Sequence, residues 1–511
     1  MDTLSLHDFP GGLALTANKE TQTSVPVSRL ATPVRVWVPM LQHRGSPAKV
    51  CVSVGDHVDV GTRLGKADGA FSADVHSSVA GVVSNIAPRV IAHRSGLSAV
   101  CVEVTSSPDQ TVNTDLKLAH DYHLEDPNIL RQRVADAGIV GLGGASFPTA
   151  LKLTAEADKT LHTLVINGAE CAPYISCDEM LMREQAENVV SGVQILLHVL
   201  QINNCFIALE EDKLAAINSM QDALEKLGDS RLKLCLVHAK YPEGGERQLI
   251  QVLSGLEVPS NGLPVDIGYL CHNVGTAHAV HQMVFEGHAL TSRVVTVCGD
   301  GVAQPQNILA PVGTSIAELI EHCGGYTSDS QRLIIGGPMM GFTVGSDSVP
   351  VDKGSNCVLV MPEAEARDLT TQMPCIRCGA CEEVCPASLL PQQLYYHARS
   401  EQLDGLPALK LFDCIECGCC DYVCPSNLPL TQYFRYAKDE LWLHTQKQER
   451  AGVAKERYQQ REERLERLQQ ERDAARAVRQ MAAQSASQKK IDIQAALARA
   501  KSKKKTDGHS E

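Results

Sequence analysis

Two stretches, "CIRCGACEEVCP" (Cys375 to Pro386) and "CIECGCCDYVCP" (Cys414 to Pro425), align without a gap at an offset of 39 positions. Both read C-x₂-C-x₂-C-x₃-C-P, the spacing that wraps a [4Fe–4S] cubane. The first three thiolates lie on a tight loop, which Gly379 and Gly418 help to turn. The fourth is carried off on the next helical turn, and Pro386 or Pro425 then redirects the chain. Where two such motifs face each other, the fourth cysteine serves the opposite cube. One set is then Cys375, Cys378, Cys381 and Cys424, and the other Cys414, Cys417, Cys420 and Cys385. Cys419 falls opposite Ala380 and is the spare thiol. Zinc sites also use C-x₂-C pairs and four ligands, but two identical triplets, each followed by C-P, favour iron–sulfur.

Two neighbouring clusters form a one-electron wire, which needs a donor and an acceptor. The chain has 511 residues, too many for one core, and implies several domains. A net charge of -13 argues against nucleic acid, and aromatics at 4% argue against a base-stacking platform. Met1 to Gly12 has no basic cluster followed by an apolar run, so no signal peptide is expected. The most apolar stretch, Val189 to Leu209, is interrupted by His198, Gln201, Asn203 and Asn204. It reads as a buried helix, a turn and a strand rather than a membrane span. Nineteen cysteines without an export signal suggest metal ligation more than disulfides. The ten outside the two blocks read mostly as small buried residues.

"GIVGLGGASFPTALK" (Gly138 to Lys152) superficially resembles a dinucleotide loop. It follows a helical pattern, Pro127 to Gly138, instead of a strand, so a Rossmann fingerprint is excluded. Taken alone it fits a structural turn as well as a binding loop. The next segments add to it. "HTLVING" ends in Asn167, Gly168, Ala169 and Glu170; "CFIALEED" ends in acids; "KLCLVHAKYPEGGE" ends in Tyr241, Gly244, Gly245 and Glu246. Helical patterns lie between these strands, giving a parallel α/β sheet whose ligand belongs beyond the strands' carboxyl ends.

These residues carry a resemblance. Gly141 to Thr149, with Gly143, Gly144, Phe147 and Lys152, is similar to the FMN and NADH loop of the flavoprotein subunit of respiratory complex I. Asn167, Glu170, Tyr241, Gly244, Glu246 and "NVGTA" (Asn273 to Ala277, including Thr276) fall where that family contacts flavin and nicotinamide. The order from "FPGGLALTANKE" through "INGAEC", "KYPEGGERQLI" and "IGGPMMG" to the twin cysteine blocks resembles the RnfC family of the Rnf electron-transport complex, called Rsx in enteric bacteria. The likeness runs from about residue 8 to 435. One position departs from it: the family reads C-E-P-Y where this chain has Cys171-Ala172-Pro173-Tyr174, so a carboxylate expected near the nicotinamide is absent.

The resemblance implies an α/β multidomain chain. An N-terminal arm (1–30) precedes a lipoyl-like barrel-sandwich domain (31–105) and an FMN/NADH-binding α/β domain (106–290). A soluble-ligand-binding β-grasp element (291–345), a two-cluster ferredoxin-like domain (360–435) and a charged helical tail (436–511) follow. The barrel cadence in Val50 to Val83 lacks a carrier lysine: the hairpin apex falls at Asp68-Gly69-Ala70 and Lys66 comes too early, so a structural role is expected. The β-grasp element reads as a spacer. From Lys447 to Glu511 the chain has seventeen basic and ten acidic residues, a solvated helix or a docking element for an acidic partner or an anionic membrane.

NADH gives up two electrons together, whereas a cubane accepts one, so a flavin is needed to divide the pair. The resemblance therefore implies an NADH-linked oxidoreductase subunit of the ion-translocating NAD:ferredoxin type. Hydride passes from NADH to FMN, then single electrons pass through two [4Fe–4S] clusters to integral-membrane and other Rnf/Rsx subunits. Its place is peripheral, on the cytoplasmic side of the bacterial inner membrane. Glu246 and Glu170 would orient nicotinamide or ribose, Lys152 would offset flavin or phosphate charge, and Asn273 and Thr276 would bind the FMN phosphate. No residue need act as catalytic acid or base. Two other readings stay open: an electron-relay and docking subunit that does not oxidise NADH, which Ala172 favours, or a soluble reductase serving ferredoxin or an iron–sulfur regulator.

Overall fold

A computed structural model describes residues 6–118, 121–154, 159–327, 331–362 and 371–506. The first residues of the expected arm, the stretch leading into the cysteine blocks and the extreme C-terminus lie outside the described residues. The chain forms two units, Met1–Arg435 and Tyr436–Glu511.

Residues 35–106 form two small antiparallel sheets packed face to face. One holds Arg35–Pro39, Ser98–Ser106, Gly81–Val90 and His57–Val58; the other holds Lys49–Val50, Arg63–Lys66 and Val75–His76. Val36, Val38, Leu64, Val75, Val83, Val102 and Val104 fill the space between them. Alternation of these β-branched residues with polar ones at period two is what makes each strand half-buried.

The central domain is a parallel sheet of β1 (Thr163–Gly168), β2 (Cys205–Glu210), β3 (Leu232–Val237) and β4 (Tyr269–Asn273), in the order β3-β2-β1-β4. β1 and β2 are nearly continuous apolar runs because helices cover both faces. One such helix, Ala186–Leu200, ends at Gln201 in the left-handed region, and β2 follows, as the apolar pattern predicts. The chain winds from β1 out to β3 and then returns to the other side with β4. The direction reverses between β1 and β4, where an open α/β sheet has its ligand crevice. Register places Asn273 opposite Asn167 at that point.

A six-stranded mixed sheet contains Ser292–Cys298, Gln306–Pro311, Gln331–Ile335, Phe342–Val344, Cys357–Pro362 and, from the N-terminal arm, Ser28–Arg29. Cys357–Pro362 lies between Ser292–Cys298 and Gln331–Ile335 and so joins the same sheet. Its apolar run "CVLV" is buried on both faces, a pattern without alternation. The helix Ile316–His322 opens with a capping box between Ser315 and Glu318.

In the cysteine region the backbone itself repeats. Gly379 and Gly418 have φ of 85° and 80°, Arg377 and Glu416 58° and 59°, and Ser388 and Asn427 49° and 52°. Each pair has the same spacing as the two cysteine blocks. Short helices Ala380–Glu383 and Cys419–Tyr422 follow the glycines. The second unit is the body of one helix, Leu430–Thr506. From Lys447 onward every described side chain is exposed. No helix among the described residues is long and apolar enough to cross a membrane.

Candidate functional site: two thiolate cages and a glycine-loop crevice

The repeated turns fold the two cysteine blocks against each other so that the fourth cysteine of each reaches the other's loop. Cys375, Cys378, Cys381 and Cys424 line one cavity, with Gly379, Tyr395 and Leu430. Cys385, Cys414, Cys417 and Cys420 line the second, with Leu389, Leu394 and Phe434. Four thiols around an otherwise apolar hollow suit an iron–sulfur cube, whose sulfide corners need little polar solvation. Cys419, expected to be idle, is also on the wall of the second cavity. It is fully buried and packs with Cys417 and Tyr241.

The second cage is fastened to the α/β domain. The Tyr241 hydroxyl donates to the Cys417 carbonyl at 2.7 Å, and Gln248 Nε2 donates to the Pro386 carbonyl at 3.3 Å. The N-terminal arm closes the joint. Leu13 and Tyr241 exchange backbone hydrogen bonds, and Gly12 N donates to the Val384 carbonyl at 3.0 Å. Met339, in the loop after Gln331–Ile335, presses on Gly418. Tyr241 therefore faces the cage rather than an open nucleotide crevice.

The glycine loop is tied at its neck by Gly141 N donating to the Phe147 carbonyl, 2.8 Å, and by a bridge between Val140 and Pro148. Arg293 holds the Leu142 carbonyl from behind, 3.3 Å. The tip, Gly143 to Ala145, is exposed. Gly144 has φ of 99° and nothing within 4 Å of where a Cβ would stand. Thr149, at the loop's end, buries a hydroxyl without a hydrogen-bond partner. An exposed glycine tip and an unmatched buried hydroxyl give a flat polar cofactor such as FMN both room and a partner.

Around the crevice, several of the expected ligand residues also hold protein partners. Lys152 and Glu246 meet each other, Nζ to Oε1 at 2.6 Å. Burial works against the ammonium charge, but the Glu246 carboxylate outweighs it and holds Lys152 above the ordinary lysine value. Glu170 is committed to the helix Cys177–Glu184. It accepts from Asp178 N at 3.0 Å, Glu179 N at 3.2 Å and Cys177 Sγ at 3.3 Å. A carboxylate there satisfies first-turn amides and the helix dipole, which Ser176 does not cap. Thr276 is fully buried and accepts from Leu142 N at 3.0 Å, so it braces the loop. Asn273 caps the helix Val274–Phe285 by accepting from Gly275 N at 2.8 Å, and it donates to Asp178 at 2.5 Å. Asn167 ties the end of β1 to the glycine turn through the Gly244 carbonyl, 2.9 Å.

Sequence reasoning missed the charge beneath this floor. Lys19 is buried and donates to the Glu170 carbonyl. Asp178 is pushed up to about 7 by burial and by Glu170. Glu210 and Glu243 are likewise pushed up to about 7, chiefly by burial. Acids at the ends of β2 and β3 were visible as residues, but nothing in the chain order shows that Lys19 lies among them.

Family models match in the same order along the chain. Residues 7–107 match the RnfC barrel sandwich hybrid domain, 134–282 the Nuo51 FMN-binding domain, 294–343 the SLBB domain and 372–428 the 4Fe-4S dicluster domain. FMN and [4Fe–4S] clusters are accordingly its cofactors. The chain is 44% identical over 472 residues to the C subunit of the ion-translocating oxidoreductase complex of Pseudomonas aeruginosa, covering 92% of this chain and 60% of that one. It is 42% identical over 471 residues to the protein of the same name from Vibrio cholerae, with the same coverage. Against that of Citrobacter koseri it is 41% identical over 499 residues, 97% of this chain and 69% of the relative. It thus spans about 60% of the length of the first two relatives. A looser similarity to a crystal structure of NAD+-reducing [NiFe]-hydrogenase (21% identity, 55% of this chain, 54% of that one, TM-score 0.44) adds nothing to this assignment. The chain belongs to the RnfC family, the C subunits of ion-translocating oxidoreductase complexes.

Proposed function

We propose that this chain is the NADH-oxidising input subunit of a membrane-bound complex that couples electron transfer between NADH and ferredoxin to ion movement. It would sit peripherally on the cytoplasmic side of the inner membrane. The observation that carries this reading is the joint at Tyr241: one turn borders the glycine-loop crevice and also holds the second thiolate cage. When bound, FMN would supply the conversion between the paired electrons of NADH and the single electrons that the two [4Fe–4S] clusters carry.

The chain's own residues position these groups. Gly143, Gly144 and Phe147 offer the flat ligand an unobstructed face, and Thr276 and Arg293 hold the loop in place. Lys152, paired with Glu246, supplies a fixed cation whose partner keeps the site neutral until a phosphate or flavin arrives. Asn167 and Asn273 hold the strand ends at the crevice. Cys385, Cys414, Cys417 and Cys420 would hold the cluster nearer the flavin domain. Cys375, Cys378, Cys381 and Cys424 would hold the outer one, where the exposed Cys378 marks the exit.

The test is anaerobic purification followed by addition of NADH. Bleaching of a flavin band together with new signals from reduced clusters supports the reading. Ala172 favours a second one, an electron relay without NADH oxidation. In that case the chain carries both clusters, and NADH leaves its spectrum unchanged while dithionite reduces it.

A further inference from the structure

The barrel apex, expected to be structural, lies against the glycine loop. Arg44 N donates to the Ser146 carbonyl at 3.0 Å, and Ser46 N donates to the Phe71 carbonyl at 2.8 Å. These bonds tie two barrel loops to each other and to the nucleotide domain. The Phe71 ring meets Phe147 edge to face, with centroids 6.1 Å apart and planes at 81°. Phe71 is nonetheless 58% exposed. Its backbone is fixed by the Ser46 bond and by Asp74, whose carboxylate accepts from Ala67 N at 2.8 Å on the other side of the turn. Arg44 is exposed and makes no ion pair among the described residues.

An exposed aromatic on a fixed turn offers its open face to a flat ligand. Here it packs on Phe147, two residues past the exposed tip of Gly143 to Ala145, with the exposed Arg44 on the neighbouring loop. The nicotinamide ring must reach the flavin at the crevice between β1 and β4, so the ring left for the barrel side is the dinucleotide's other base. We propose that the barrel supplies half of the dinucleotide subsite: Phe71 stacks on the adenine, with Phe147 as its edge-on wall, and Arg44 faces a phosphate. This rests on the NADH reading above.

The test uses the full chain with its cofactors. ADP-ribose binding is measured by calorimetry, and oxidation of NADH is compared with that of reduced nicotinamide mononucleotide, which has no adenine. Phe71→Ala weakens ADP-ribose binding about five-fold or more, the lower end of what losing one base–aromatic stack costs. It raises KM for NADH by a similar factor, leaves kcat unchanged and does not affect the mononucleotide. Phe71→Trp keeps parental binding, and Arg44→Ala weakens ADP-ribose binding in its own right. Parental ADP-ribose affinity in Phe71→Ala overturns the proposal, as does an equal loss with both substrates. If the parent chain itself neither binds ADP-ribose nor oxidises NADH, the NADH reading fails first and this inference falls with it.

Discussion

Gly379 and Gly418 occupy the same place in the two cysteine blocks and allow a matched comparison. Their φ values are 85° and 80°, so alanine at either site pays the same left-handed penalty, about 1–2 kcal/mol. Their surroundings differ. A Cβ on Gly379 meets nothing within 4 Å, whereas one on Gly418 stands 2.8 Å from the Met339 carbonyl oxygen. Real Cβ contacts to backbone oxygen do not come that close, so the loop or the Met339 segment must shift by a few tenths of an ångström. Overpacking of this kind adds about 1–3 kcal/mol. Gly379→Ala should therefore retain about eight irons per chain, the content of two cubanes. Gly418→Ala should selectively lose the cluster held by Cys385, Cys414, Cys417 and Cys420. Iron analysis and low-temperature electron paramagnetic resonance of anaerobic protein read both outcomes. Equal behaviour of the two variants would refute the claim that the second cage is pressed against the Met339 loop.

Other outcomes follow from the same geometry. Cys417→Ser loses one cluster, whereas Cys419→Ala keeps both. Gly144→Val, forced to φ near 99° with a branched side chain over the open tip, abolishes NADH oxidation and FMN retention while iron content is unchanged. Lys353 is fully buried and donates to the Asp74 and Gly138 carbonyls at 2.8 and 2.7 Å. Burial pulls its pKa from 10.5 down to about 7, against the pull of Asp74 and Asp352. Between those values the unfolded chain holds a proton that the folded one has released. The burial penalty that Lys353 places on folding is therefore relieved as pH rises from about 7 to about 10, by at most ~1.4 kcal/mol per unit. Lys353→Met loses this dependence. Denaturation midpoints of parent and variant at pH 7 and 9 check it, and a constant difference between the two proteins would count against it.

The cysteine sets were legible because their spacing is local: three ligands lie within seven residues, and the repeat pairs the fourth. β1 to β4 were legible from apolar runs bounded by glycine and polar clusters. Cys357–Pro362 was missed because a strand buried on both faces carries no period-two signal. The protein partners of Glu170, Thr276 and Tyr241 were not legible for another reason. Each residue stands where a ligand contact was expected, yet its partner is a helix end, a loop amide or a carbonyl of the cluster domain. Tyr241 and Cys417 are 176 residues apart, and no local pattern records such a pairing. Phe71 looked like one residue of a barrel turn, and only the packing of that turn on Phe147 gives it a candidate ligand.

The glycine-loop crevice and the second thiolate cage meet at the turn of Tyr241 and Gly244, and the proposed function requires electrons to cross there. Anaerobically purified chain, mixed rapidly with NADH and followed by absorbance and freeze-quenched resonance, tests this most directly. The account predicts flavin bleaching followed by reduction of both clusters, with Tyr241→Phe slowing the second step and sparing the first. Clusters that stay oxidised while the flavin is reduced, or protein that binds zinc in place of iron, would contradict it.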